Sequence, residues 1–175
     1  TMQQQGVIEP VSVNISPRQC HNADFVDLVE DLLQRYAIEP RFLEFEITET
    51  TAMKDVEHTL AIMQRLRDMG LLFSIDDFGT GYSSLGYLNR MPVNTLKIDK
   101  QFVDDLVANG GIVNTIIAIS RQMHLNVVAE GVETEEQLLT LADMGCDEAQ
   151  GYYFSRPIST EEILRYLLAE KEARP

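Results

Sequence analysis

With 175 residues and 45% hydrophobic content, the chain has material for one sizeable core and is too short for two ordinary domains. A formal net charge of -14 and scattered Lys and Arg residues exclude a basic track for a phosphate backbone, so polymeric nucleic acid is not an expected partner. A small anionic ligand in so acidic a protein would have its phosphates met by bound cations.

Cys20 and Cys146 stand far apart with no CxxC partner, which reads as reduced thiols packed as small apolar groups. The N-terminus lacks the charged and apolar regions of a signal peptide, and no apolar run reaches the length of a membrane span. The expectation is a cytoplasmic domain without direct membrane contact, within a parent protein that could itself be anchored.

In chain order, Val11 to Ile15 reads as a buried strand stopped by Ser16-Pro17, with Asn14 at its end. Helical spacing of apolar residues predicts a helix over about 23 to 36, with Asn22 or Asp24 as its cap. A second strand, Phe42 to Ile47, has Glu46 and Thr48-Glu49 at its exit, and a helix follows from about Asp55 to Met69, stopped by Gly70. The third strand runs from Leu71 into Asp76-Asp77 and a Gly-rich loop, with a short helix from Ser84 to Asn89 beyond it. Thr95 to Asp99 is a fourth strand, carrying Lys97 among apolar neighbours. A short helical stretch around Phe102 to Val107 is expected to break at Gly110-Gly111 before a helix from Ile112 to His124. The fifth strand spans Asn126 to Glu133. Thr134 and Gln137 make a capping box for a helix ending at Gly145, the sixth strand lies around Asp147 to Phe154, and Ser159 and Glu162 cap a last helix to about Lys171.

Strands alternating with helices of 10 to 15 residues point to parallel βαβ units. Asn14, Glu46, Asp76 with Asp77, Lys97, Glu130 and Gln150 stand at successive strand exits, one per unit, at spacings of 20 to 33 residues. In a (β/α)8 barrel all of them would face one mouth, where functional side chains collect. Adjacent carboxylates at a strand end repel each other and invite a cation; taken alone, Asp76-Asp77 reads better as a solvated turn, and it is the other strand exits that shift the balance. Lys97 could simply pair with Asp99 or Asp76, and His21, His58 and His124 show no ligand spacing.

Six ordered motifs make the chain resemble the EAL domain, the bacterial cyclic di-GMP phosphodiesterase barrel. They are Val11 to Ser16, Phe45 to Glu49, Ile75 to Leu85, Leu96 to Asp99, Ala129 to Glu133 and Gln150 to Phe154. The resemblance implies metal-dependent hydrolysis of cyclic di-GMP to linear pGpG with two divalent ions, Mg²⁺ or Mn²⁺. It implies Asn14, Glu46 and Asp76 as ligands of one ion and Asp76 and Asp77 as ligands of the second. Glu130 would join the metal and water network, Lys97 would orient the attacking water, and Gln150 would edge the substrate site. Glu49 would anchor the loop from Asp77 to Leu85, a reading preferred over the alternative of a carboxylate favoured at a helix N-terminus.

The family's Glu-Ala-Leu motif does not occur in the chain, and six strands are counted where a closed barrel has eight. The expectation is an incomplete TIM-type barrel, residues 1–175 forming the C-terminal portion of one EAL domain. Exposed edges at Val11 to Asn14 and Gln150 to Phe154 predict a homodimer or a complementing chain, in a parent with sensory or GGDEF domains. Two alternatives stay open: a cyclic di-GMP-binding regulatory module without turnover, and an interaction scaffold.

Overall fold

The computed structural model describes residues 10–81 and 85–173. Tyr82, Ser83 and Ser84, part of the expected Gly-rich loop and short helix, lie outside the described residues. Six strands form one sheet in strict sequence order: β1 (Val11–Asn14), β2 (Leu43–Thr48), β3 (Leu72–Phe78), β4 (Thr95–Ile98), β5 (Asn126–Ala129) and β6 (Glu148–Ala149). Every neighbouring pair is parallel. Helices α1 (Pro17–Cys20) and α2 (Phe25–Tyr36) connect β1 to β2, and α3 (Glu49–Lys54) and α4 (Val56–Asp68) connect β2 to β3. Next come α5 (Leu85–Leu88) before β4, α6 (Lys100–Asp104) and α7 (Leu106–Met123) before β5, α8 (Glu135–Met144) before β6, and α9 (Thr160–Ala173) last. This is the half-barrel of βα units that the alternating pattern predicts.

The pleat sorts the side chains. Phe45, Ile47, Phe73 and Ile75 point to the helices, where Phe25 meets Phe45 at 5.9 Å between ring centroids and Phe45 meets Phe73 edge-on at 6.0 Å. Burying each such side chain contributes about 1.5–3 kcal/mol, so this layer carries most of the driving force. The alternate residues Glu44, Glu46, Ser74 and Asp76 share the other face of the sheet. Among the described residues no helix is long and apolar enough to cross a membrane.

The caps expected for α8 and α9 form, whereas Asp24, the N-cap of α2, makes no side-chain capping hydrogen bond. Thr134 and Gln137 form the capping box of α8, Gly145 ends that helix in the left-handed region at φ +79°, and Ser159 and Glu162 hydrogen-bond reciprocally at the start of α9. Three expectations need correction. The break expected at Gly110-Gly111 lies instead at Asp105 (φ -132°, ψ 74°), whose carboxylate accepts from the Ala108 N–H at 3.0 Å and caps α7. Both glycines continue the helix, because Val113, Ile116 and Ile117 are buried beyond them and override the weak propensity. The fifth and sixth strands end early, at Ala129 and Ala149, where the positive φ of Gly131 and turns after Gln150 take over. Finally β1, read as buried, exposes Val11 at 46% and Val13 at 41%, since it pairs only with β2 among the described strands.

Gly111 is exposed and a Cβ there would meet nothing within 4 Å, so Gly111→Ala should stabilise the chain by about 0.5–1 kcal/mol. Gly145→Ala should destabilise it, because a Cβ there would lie 1.8 Å from Arg121 Nη2 at a positive φ. Urea denaturation midpoints measure both signs.

Candidate active site

Lys97 is the centre of the strand-exit cluster. Its stem leaves β4 among fully buried neighbours, and the side chain is only 6% exposed. The Nζ lies 2.7 Å from Glu46 Oε1 on β2, 2.5 Å from Glu130 Oε1 just past β5, and 3.5 Å from Asp76 Oδ1 on β3. Burial acts to lower the Lys97 pKa. The hydrogen bonds from Glu130 and Glu46, with the charges of Glu130 and Asp76, outweigh it and hold the ammonium above the ordinary lysine range. Burial also raises the Glu130 carboxyl, against the pull of Lys97.

Two consecutive residues of a regular strand face opposite ways, yet Asp76 and Asp77 both reach this mouth. The cause is a register irregularity between β3 and β4, spanning Ile75 to Phe78, together with a left-handed backbone at Asp77 (φ 54°). The Asp77 N–H donates to Asp76 Oδ1 at 3.0 Å, and the Thr80 hydroxyl donates to the Asp77 carbonyl at 2.8 Å. Burial, a hydrogen bond with Asp99 and the charges of Asp76, Asp99 and Glu130 push the Asp77 carboxyl up to about 6. Asp99 is the site residue that sequence reasoning weighed only as a partner for Lys97. It stands two residues beyond Lys97 at the same strand exit, the alternation that could have found it, and it also caps α6 by accepting from Gln101 N–H at 2.7 Å.

The remaining candidates lie around this cluster. Asn14 ends β1 directly opposite Glu46 in the strand register, with its side chain exposed. Gln150 follows β6 and lines an open groove of about 530 Å³ with Tyr152, Phe154, Arg156 and Tyr166, outside the Lys97 cluster. Glu49, 1% exposed, begins α3; its Oε2 accepts from the Gly79 N–H at 2.9 Å. A Cβ on Gly81 would come within 2.8 Å of Glu49 Oε1, so the close approach of the loop to this carboxylate requires glycine.

Among the described residues, no three His, Cys, Asp or Glu side chains are spaced as a ready ion cage. The carboxylates close instead on the Lys97 ammonium. The donor chemistry nevertheless fits hard divalent cations: Glu46, Asp76, Asp77 and Glu130 offer only oxygen, and together they outnumber the single ammonium that compensates them.

The sequence matches the EAL domain over residues 1–157. The chain belongs to the EAL domain family. It is 45% identical over 157 residues to MucR of Pseudomonas aeruginosa, a bifunctional diguanylate cyclase and cyclic di-GMP phosphodiesterase, covering 88% of this chain and 23% of MucR. The solved EAL domain of Mycobacterium smegmatis DcpA superposes with a TM-score of 0.88 at 39% identity, covering 96% of this chain and 78% of that one. A manganese and cyclic di-GMP complex of Klebsiella pneumoniae BlrP1 gives a TM-score of 0.80 at 31% identity, covering 89% of this chain and 41% of that one. The chain spans 20–23% of the length of its relatives YkoW, from Bacillus subtilis, and MucR. For an EAL chain the strand-exit cluster is therefore the place to seek chemistry.

Replacing Lys97 by Met would leave the buried Glu46 and the half-buried Asp76 and Glu130 together without compensation. Lys97→Met should cost about 3–5 kcal/mol at pH 7 in chelator, measured by urea denaturation. The loss should shrink toward pH 5, as Glu130, already raised by burial and now without the opposing pull of Lys97, takes up a proton; an equal loss at both pH values would refute the charge-compensation role.

Proposed function

We propose that the chain is the C-terminal portion of an EAL phosphodiesterase domain that hydrolyses cyclic di-GMP to linear pGpG with Mg²⁺ or Mn²⁺. The observation that carries this reading is the convergence of Glu46, Asp76 and Glu130 on Lys97 at the exits of parallel strands, with Asp77 beside them. The cyclic di-GMP phosphodiesterase named for MucR and the manganese complex of BlrP1 support the substrate and the use of a divalent ion.

In this reading Asn14, Glu46 and Asp76 hold one ion, Asp76 and Asp77 hold the second, and Glu130 joins the metal and water network. Bound divalent ions would supply positive charge against the phosphate oxygens and favour deprotonation of a water. Lys97, kept protonated by its neighbours, donates hydrogen bonds that orient the attacking water and is not its base. Water adds to phosphorus, one P–O3′ bond breaks, and the released ribose oxygen takes a proton, which gives the linear product. Gln150 contacts the substrate from the groove edge. Glu49, through the Gly79 N–H, tethers the loop that begins at Asp77.

The greater length of the relatives supports a multidomain signalling parent, with sensory or GGDEF domains and with homodimeric or complementing contacts at the sheet edges. The reading places the site in the cytoplasm.

The test is incubation of the 175-residue chain with cyclic di-GMP and Mn²⁺ or Mg²⁺, with products separated by chromatography. pGpG should form and should disappear with chelator, and Glu46→Gln should lower the rate by about 10–100-fold. Nucleotide binding without turnover would replace this reading with a receptor module; no binding at all would leave a scaffold.

A further inference from the structure

Ser74 is fully buried on β3, and its hydroxyl has no hydrogen-bond partner among the described residues. A buried hydroxyl left in that state costs about 1–3 kcal/mol, a cost that alanine would avoid. Its position suggests a use. Ser74 precedes Asp76 by two residues on the same strand face, and it stands directly opposite Glu46 in the β2–β3 register. It therefore lies immediately beneath the carboxylates that converge on Lys97.

The neighbouring register pair shows what such a placement can reach. Ser12 on β1 stands opposite Glu44 on β2, and Ser12 Oγ donates to Glu44 Oε2 at 2.9 Å. Ser74 bears the same relation to Glu46 from the other flank of β2. The difference is that Glu46 is drawn toward the Lys97 ammonium, 2.7 Å from its Oε1, and the serine goes without.

We infer that Ser74 is a positioning residue for Glu46: its hydroxyl takes one oxygen of that carboxylate when Glu46 turns from Lys97 toward a divalent cation. The inference rests on the metal-dependent reading above. A hydroxyl brings no charge, so the balance of the cluster is unaltered. It does fix the direction of the carboxylate, and hydrogen bonds to charged groups are the stronger kind.

The test is calorimetric titration of Mn²⁺ into the 175-residue chain and into Ser74→Ala, with thermal unfolding of both in chelator. Ser74→Ala should melt no lower than the unsubstituted chain in chelator, yet bind Mn²⁺ about 10-fold or more weakly. Ser74→Thr, which keeps the hydroxyl, should stay within about threefold of the unsubstituted affinity. If the unsubstituted chain binds Mn²⁺ and Ser74→Ala binds it within about twofold, the inference is wrong while the metal reading stands. A lower melting temperature for Ser74→Ala in chelator also overturns it, since the hydroxyl would then be in use without a cation. Failure of the unsubstituted chain to bind Mn²⁺ removes the metal reading, and the inference with it.

Discussion

The contact between one buried ammonium and carboxylates from three other places on the sheet is what the rest of this structure depends on. Lys97 reaches Asp76 on the adjacent strand, and it also reaches Glu46 on β2 across β3 and Glu130 beyond β5. Taking these charges out of water is expensive, and only their mutual attraction at short distance offsets it. The geometry therefore has to be met by every strand at once. A slip of one residue in any register would turn the contributing side chain toward the helices.

The apolar layer makes that geometry possible. Phe45, Ile47 and Phe73 fix the pleat of β2 and β3 by burial against α2 and α4, and the alternate positions are then committed to the other face. Hydrophobic burial sets the direction, and electrostatics specify what may occupy the exits. The irregularity after Ile75 is a local exception: it gives up one step of regular pairing and delivers two neighbouring carboxylates to the same mouth. In a chain of net charge -14, such a concentration of carboxylates is hard to sustain without a cation close by, whether an ammonium or a metal.

Period and spacing made most of the sheet legible in the sequence, because parallel strands buried by helices leave short apolar runs that stop abruptly in polar residues. Glu46, Asp76, Lys97 and Glu130 could be aligned by that rule alone, and the structure brings all four together. The helix boundary at Asp105 was not legible. Glycine pairs usually interrupt helices, whereas here tertiary packing of Val113, Ile116 and Ile117 carries the helix through them. The shortness of β6 was hidden for a related reason: Tyr152 to Phe154 have strand composition, but hydrogen bonds from Tyr153 N–H to the Val132 carbonyl and from Phe154 N–H to the Gly151 carbonyl fold them into a turn. The pairing of Asp99 with Asp77, and the placement of Ser74 against Glu46, were not legible because each depends on a neighbour in space.

The left-handed backbone at Asp77 also bears on how related sequences are to be compared. Among residues with a side chain, Asp and Asn tolerate that conformation best, so position 77 is restricted by its torsion angles before any chemistry is considered. A descendant that had lost turnover would still be steered toward a short polar residue there, for as long as the strand kept its irregularity. No such backbone demand falls on Lys97, which sits in regular strand where many side chains fit. Persistence of an aspartate at position 77 in an alignment would thus record the shape of the turn, and persistence of Lys97 would be the more informative sign of selected chemistry.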